Sequence, residues 1–115
     1  MKKKTQSDRN YLDNVPRHNP ELKFEIDENN RVIIYQENKG LMKTLTQKLM
    51  KKPRISMIHL DELGSFVWQQ MDGERTVYEI AERVKEHFGE NADPLYNRLV
   101  TYVDTLRSYQ FIHIN

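Results

Sequence analysis

The sequence predicts an α+β domain of winged-helix-like design: an N-terminal antiparallel β-hairpin with a third strand, a three-helix bundle and a short C-terminal strand. Three observations carry this. Leu22–Ile26 and Val32–Tyr35 alternate apolar and polar residues across a polar turn, the pattern of a half-buried hairpin. Three later segments repeat apolar residues at intervals of three and four, the period of amphipathic helices. A short apolar run, Phe111-Ile112-His113-Ile114, closes the chain as a terminal strand or extended tail.

The chain has 115 residues, enough for one domain that buries roughly 60% of its unfolded surface. Hydrophobic residues make up 37% and charged residues 30%, which suits a modest core. A net charge of +1 demands neither nucleic acid nor an acidic membrane as partner. With no cysteine, disulfides, thiolate nucleophiles and cysteine-based metal sites are excluded, in keeping with a cytoplasmic protein. The opening Met1-Lys2-Lys3-Lys4 is followed by no apolar run, so it is not a signal peptide, and no stretch approaches a membrane span.

Residues 1–20 are polar, with Pro16 and Pro20 disfavouring helix, and read as an extended or mobile solvated arm ahead of a single domain at 21–115. In the hairpin turn Asp27–Arg31, the asparagines tolerate positive φ. Leu41, Leu45 and Leu49 then share a helical stripe in a basic insertion at about 39–54, with six basic and no acidic residues from Lys39 to Arg54. It reads as a covering helix with solvated lysines, the alternative being a site for phosphate, anionic lipid or an acidic protein. Ile55–His59 alternates again and forms the third strand.

The strand runs into the stretch around which the chain is organised. Asp61 is placed as an N-cap, with Leu60 and Phe66 or Val67 as a hydrophobic staple. Leu63, Phe66, Val67 and Met71 form the apolar face, Trp68 lies on its edge as core anchor, and Gly73 closes the helix. Thr76-Val77-Tyr78-Glu79 is a capping box, and Val77, Ile80, Ala81, Val84 and Phe88 form the clearest amphipathic stripe, stopped by Gly89. Asp93-Pro94 opens the third helix as cap and first-turn proline, with Leu95, Leu99, Tyr102, Val103 and Leu106 facing inward.

Catalytic chemistry is missing. The four glycines are isolated punctuation at element ends, so there is no phosphate loop, and no GxSxG or HExxH motif occurs. His18, His59, His87 and His113 fall in different elements and make no metal motif. The chain therefore reads as no enzyme, without cofactor or metal. Asp72, Glu74, Glu79, Glu82, Glu86, Glu90 and Asp93 give the second helix an acidic, solvated or partner-facing surface.

The string Leu60 to Trp68, then Met71-Asp72-Gly73, Thr76 to Ala81 and Leu106 to Ile112, resembles the PqqD family (coenzyme PQQ synthesis protein D-like, or RiPP recognition elements). The likeness covers about residues 55–114, and the hairpin fits the family's N-terminal strands. The basic segment 39–54 is longer than a minimal member needs, and Gln110 stands where the family often has glycine. The resemblance implies a peptide-binding accessory protein. It would recognise the leader of a ribosomally made precursor peptide and present it to a modifying enzyme, often a radical S-adenosylmethionine (SAM) enzyme. The leader would add as a strand beside Ile55, Ser56, Met57 and Ile58, against a wall of Leu95, Arg98, Leu99 and Tyr102, with Arg98 pairing an acidic leader residue. On residue type alone, Leu99 belongs to the core rather than to the groove.

Two rival readings stay open. A winged helix could present its third helix to nucleic acid, but Asn97, Arg98, Thr101, Asp104, Thr105 and Ser108 carry little positive charge. The domain could instead be an assembly module that docks through its acidic second-helix face. The exposed strand edge also admits a homodimer.

Overall fold

A computed structural model describes residues 11–37 and 55–114. It is an α+β fold. Strands β1 (Pro16–His18), β2 (Lys23–Ile26), β3 (Val32–Glu37) and β4 (Ile55–His59) are followed by helices α1 (Glu62–Gln70), α2 (Val77–Phe88) and α3 (Leu95–Ser108), then β5 (Ile112–Ile114). A 3₁₀ turn, Gly89–Ala92, links α2 to α3. The basic segment at 39–54 lies outside the described residues, apart from the strand that follows it.

The strands form two antiparallel sheets, β2-β3-β4 and β1-β5. In the larger one Phe24, Ile34 and Ile58 align across the strands, as do Ile26 and Val32, so one face is apolar and packs on the helices. The turn between β2 and β3 is held by Asp27, whose carboxylate accepts from the N–H groups of Asn29 and Arg31, while Asn30 takes φ 64° as its side chain permits.

The core joins that face to all three helices, through Val32, Ile34, Val67, Trp68, Ile80, Val84, Val103 and Ile112. Trp68 lies at its centre, the anchor the sequence predicts. It is 0% exposed, His18 stacks on its ring at 4.1 Å, and Phe24 meets it edge-on at 5.3 Å. The His18 Nε2–H donates to the Trp68 carbonyl at 2.8 Å, and burial pushes the His18 pKa below its usual range. Ser65 ties sheet to helix: its Oγ accepts from the Val32 N–H at 2.9 Å and donates to the Leu60 carbonyl at 3.2 Å.

The segment read as a solvated arm is, over Pro16–His18, a strand paired with β5, and Pro16 is fully buried. Tyr11 and Leu12 also pack on the core, and the Tyr11 hydroxyl donates to the Asp104 carboxylate at 3.0 Å on α3. The packed unit thus includes residues ahead of position 21. What draws them in is the apolar flank of Trp68 and α3, which His18 and Tyr11 cover.

The helix ends follow the caps in two cases of three. Asp61 accepts the Gly64 N–H at 2.7 Å, and Thr76 and Glu79 form the full capping box. At α3, Pro94 rather than Asp93 occupies the cap position, and no side chain bonds the helix start. Likewise α1 ends at Met71, which turns extended and stays buried, so Gly73 (φ 82°) serves the following turn and does not close the helix. Gly89 (φ 56°) does end α2.

Candidate functional site

The strand order leaves β4 at a margin, and among the described residues no strand pairs on its far side. Its ladder can be worked out from one bond beyond the strand end: the Leu60 N–H donates to the Val32 carbonyl at 3.0 Å. Hydrogen-bonded pairs alternate in an antiparallel ladder, so Ile34–Ile58 and Gln36–Ser56 exchange the inner bonds. The N–H and C=O groups of Ile55, Met57 and His59 therefore point out of the edge. The opposite margin, β2, carries Lys23 and Glu25, charges that discourage pairing. Ile55 to Ile58 carries none, and Ile55 and Met57 are 55% and 54% exposed.

Just past the end of β4, beginning at Asp61, α1 and α3 enclose a cleft of about 550 Å³. Its floor is apolar, made by Leu63, Val67, Val84, Leu95 and Leu99, and Arg98, Thr101 and Thr105 stand along its rim. The Arg98 Nη1 donates to the Asn91 carbonyl at 3.1 Å, and among the described residues Arg98 has no acidic partner. Its charge is held in place and unspent.

Tyr102 sets the depth of the cleft. Its hydroxyl donates to the Gly64 carbonyl at 3.0 Å, and burial, reinforced by Asp61, raises its pKa so that it remains a donor. Gly64 makes that approach possible, since a Cβ there would sit 2.9 Å from the Tyr102 Oη and 3.0 Å from the Asp61 Oδ1. By sequence alone Gly64 looks like punctuation at an element end. It lies inside the first turn of α1, buried under Tyr102.

The four helix residues named from the resemblance, Leu95, Arg98, Leu99 and Tyr102, all line this one cleft. Leu99 is 3% exposed and forms its floor, so it serves core and cleft at once. The four strand residues do not join them there. Ile55 lines a second cleft at the other end of β4, and Ser56, Met57 and Ile58 line neither. The α1 contribution of Asp61, Leu63, Gly64 and Val67 was missed. Its one signal in the sequence is a glycine placed inside a helix pattern, which marks a close approach.

Among the described residues no group of three histidine, aspartate or glutamate side chains could hold a metal ion, and no helix is long and apolar enough to cross a membrane. The exposed side of α3 over residues 97–108 carries Arg98 and an Arg107 paired with Asp104 at 3.4 Å. That is a sparse charge for gripping phosphates.

The model of one protein family, described as coenzyme PQQ synthesis protein D (PqqD), matches residues 32–112, from the start of β3 into β5. No curated protein and no solved structure matches the chain.

Proposed function

Given that the chain belongs to the PqqD family, whose members are accessory proteins of biosynthesis without catalytic chemistry of their own, we propose that it binds the leader of a ribosomally made precursor peptide. It then presents that peptide to a modifying enzyme, of the radical SAM type. The observation that carries this is the uncharged β4 edge, with its outward main-chain groups, followed just past the strand's end by an apolar cleft rimmed by Arg98. Main-chain hydrogen bonds supply affinity that tolerates sequence, and the cleft selects one side chain.

In this reading the layout is winged-helix-like, with α3 as the wall of a peptide groove rather than a helix for nucleic acid. Antiparallel pairing is the mode of every strand pair among the described residues. It sets the N-terminal part of the leader near His59 and the first cleft, and the C-terminal part near Ile55. An apolar leader side chain enters over Leu99, and an adjacent acid pairs with Arg98. A second copy on the same edge is disfavoured by size: one five-residue strand pair is far below the roughly 1,200 Å² of a stable protein interface.

The test is an amide NMR titration of labelled protein with a synthetic leader from the precursor gene nearest to this one. Shifts on Ile55, Met57, His59 and Leu95–Tyr102 support the reading. Met57→Pro supplies the control, because the Met57 N–H faces outward and a proline there leaves the β3 ladder whole. That variant should keep its thermal unfolding and lose binding at least about tenfold. Shifts elsewhere, or undiminished binding by Met57→Pro, would overturn it.

A further inference from the structure

The cleft between α1 and α3 is not apolar throughout. Two polar side chains, Asp61 and Tyr102, meet at Gly64, and all three residues line it. A Cβ on Gly64 would lie 2.9 Å from the Tyr102 Oη and 3.0 Å from the Asp61 Oδ1, so the two oxygens border one spot.

Neither oxygen is used up by the fold. The Asp61 carboxylate accepts the Gly64 N–H through Oδ1 and, among the described residues, has no ion-pair partner. A carboxylate offers about four acceptor positions, so its other oxygen stays open to a ligand. Tyr102 gives its hydroxyl hydrogen to the Gly64 carbonyl at 3.0 Å, which leaves that oxygen as an acceptor only. Burial first, and the Asp61 carboxylate second, raise the pKa of this hydroxyl and keep the hydrogen on it. What meets here is a pair of acceptors, and it calls for a donor.

An ammonium or guanidinium is the strongest mate for a carboxylate, but two features of the cleft oppose a cation. Arg98 lines the same cleft, one helical turn ahead of Tyr102 on the same side of α3. Asp61 caps the start of α1, where the helix dipole is positive. A neutral O–H or N–H meets neither penalty. The group that carries it has to cover Leu63, Leu95 and Leu99, and a cleft of about 550 Å³ has room for a whole ring.

Deepening the peptide reading on which it rests, we propose that this cleft selects an aromatic side chain ending in a hydrogen-bond donor, tyrosine or tryptophan, and that Asp61 sets the preference. The ring lies on Leu63, Leu95 and Leu99, and its O–H or N–H donates to the Asp61 carboxylate. Phenylalanine or leucine would cover the same floor but displace water from the acceptors without replacing its bonds. A site built around such a bond rejects the analogue that lacks it more strongly than an apolar pocket sorts by size.

The experiment titrates labelled protein with N-acetyltyrosinamide, N-acetyltryptophanamide, N-acetylphenylalaninamide and N-acetylleucinamide, uncharged probes that carry the side chains without a strand. Amide shifts on Leu63, Gly64, Leu99 and Tyr102 report the cleft. The tyrosine and tryptophan probes should bind about tenfold more tightly than the phenylalanine and leucine ones. Asp61→Ser keeps a good N-cap but removes the carboxylate, so that ratio should fall to near one while thermal unfolding stays close to that of wild type. Met57→Pro should bind all four probes as wild type does, because no residue of β4 lines the cleft. Equal affinity for the tyrosine and phenylalanine probes, or a preference that survives Asp61→Ser, would overturn the proposal. So would shifts that miss the cleft, or no binding at all. A leader that fails to bind while the tyrosine preference holds would bring down the peptide reading of β4 and leave the selectivity of the cleft standing.

Discussion

Replacing Gly64 by alanine sets helix propensity against packing. In a helix interior alanine is favoured over glycine by about 1 kcal/mol. Here the added Cβ would lie 2.9 Å from the Tyr102 Oη and 3.0 Å from the Asp61 Oδ1. Neither atom is free to move: the first donates to the Gly64 carbonyl and the second accepts the Gly64 N–H as the N-cap. Relieving the contact weakens one or both bonds, at about 1 kcal/mol for the hydroxyl and about 1–2 kcal/mol for the cap. Packing wins, and Gly64→Ala should destabilise the fold by about 1–2 kcal/mol, lowering Tm by about 4–8 °C per kcal/mol. The decisive assay is a double-mutant cycle followed by thermal and urea unfolding. With Tyr102→Phe the hydroxyl is gone, and the cost of Gly64→Ala should shrink toward zero, a coupling of about 1 kcal/mol. Stabilisation by Gly64→Ala alone, or an equal cost in both backgrounds, would refute the claim that Tyr102 closes on α1 through the space a glycine leaves.

Other consequences are as definite. Ser65→Ala strands the buried Val32 N–H and should cost about 1–3 kcal/mol in urea unfolding, far more than Ser108→Ala at the exposed end of α3. Thr76→Ala breaks the capping box and should cost about 1 kcal/mol. Gln110→Gly relieves a side chain held at positive φ and should raise stability by about 0.5–1 kcal/mol, as a rise in Tm. Burial of His18 lowers its folded pKa, so the unfolded chain binds more protons as pH falls. Stability should be fully present above the usual histidine range and decline as pH drops through and below about 6.5, a slope that His18→Phe should flatten.

What was legible in the sequence was local. The hairpin, the bounds of β4, the Asp61 cap and the Thr76–Glu79 box each rest on residues within a few positions of one another, so spacing alone reveals them. The β1–β5 pair joins residues 16–18 to residues 112–114, and strands of three residues are too short to show a period. His18 therefore falls outside any pattern the sequence shows, although it stacks on Trp68, the core anchor, at the centre of the fold. Periodicity tells which side chains are buried but not which of them border a gap. Leu63 and Val67 of α1 read as a buried face just as Leu95, Leu99 and Tyr102 of α3 do, and only the family resemblance marks the α3 residues as a wall. Gln110, where the resemblance leads one to expect glycine, holds the positive φ that a glycine takes freely.

The most direct measurement is amide hydrogen exchange at Ile55, Met57 and His59, with and without saturating leader peptide. Those three N–H groups point out of an edge that no strand among the described residues covers, and strand addition should slow their exchange by at least about tenfold, while the amides of Ser56 and Ile58, already bonded to β3, change little. If the peptide binds and the three outward amides exchange as before, the edge of β4 is not where it binds, and the central claim is wrong.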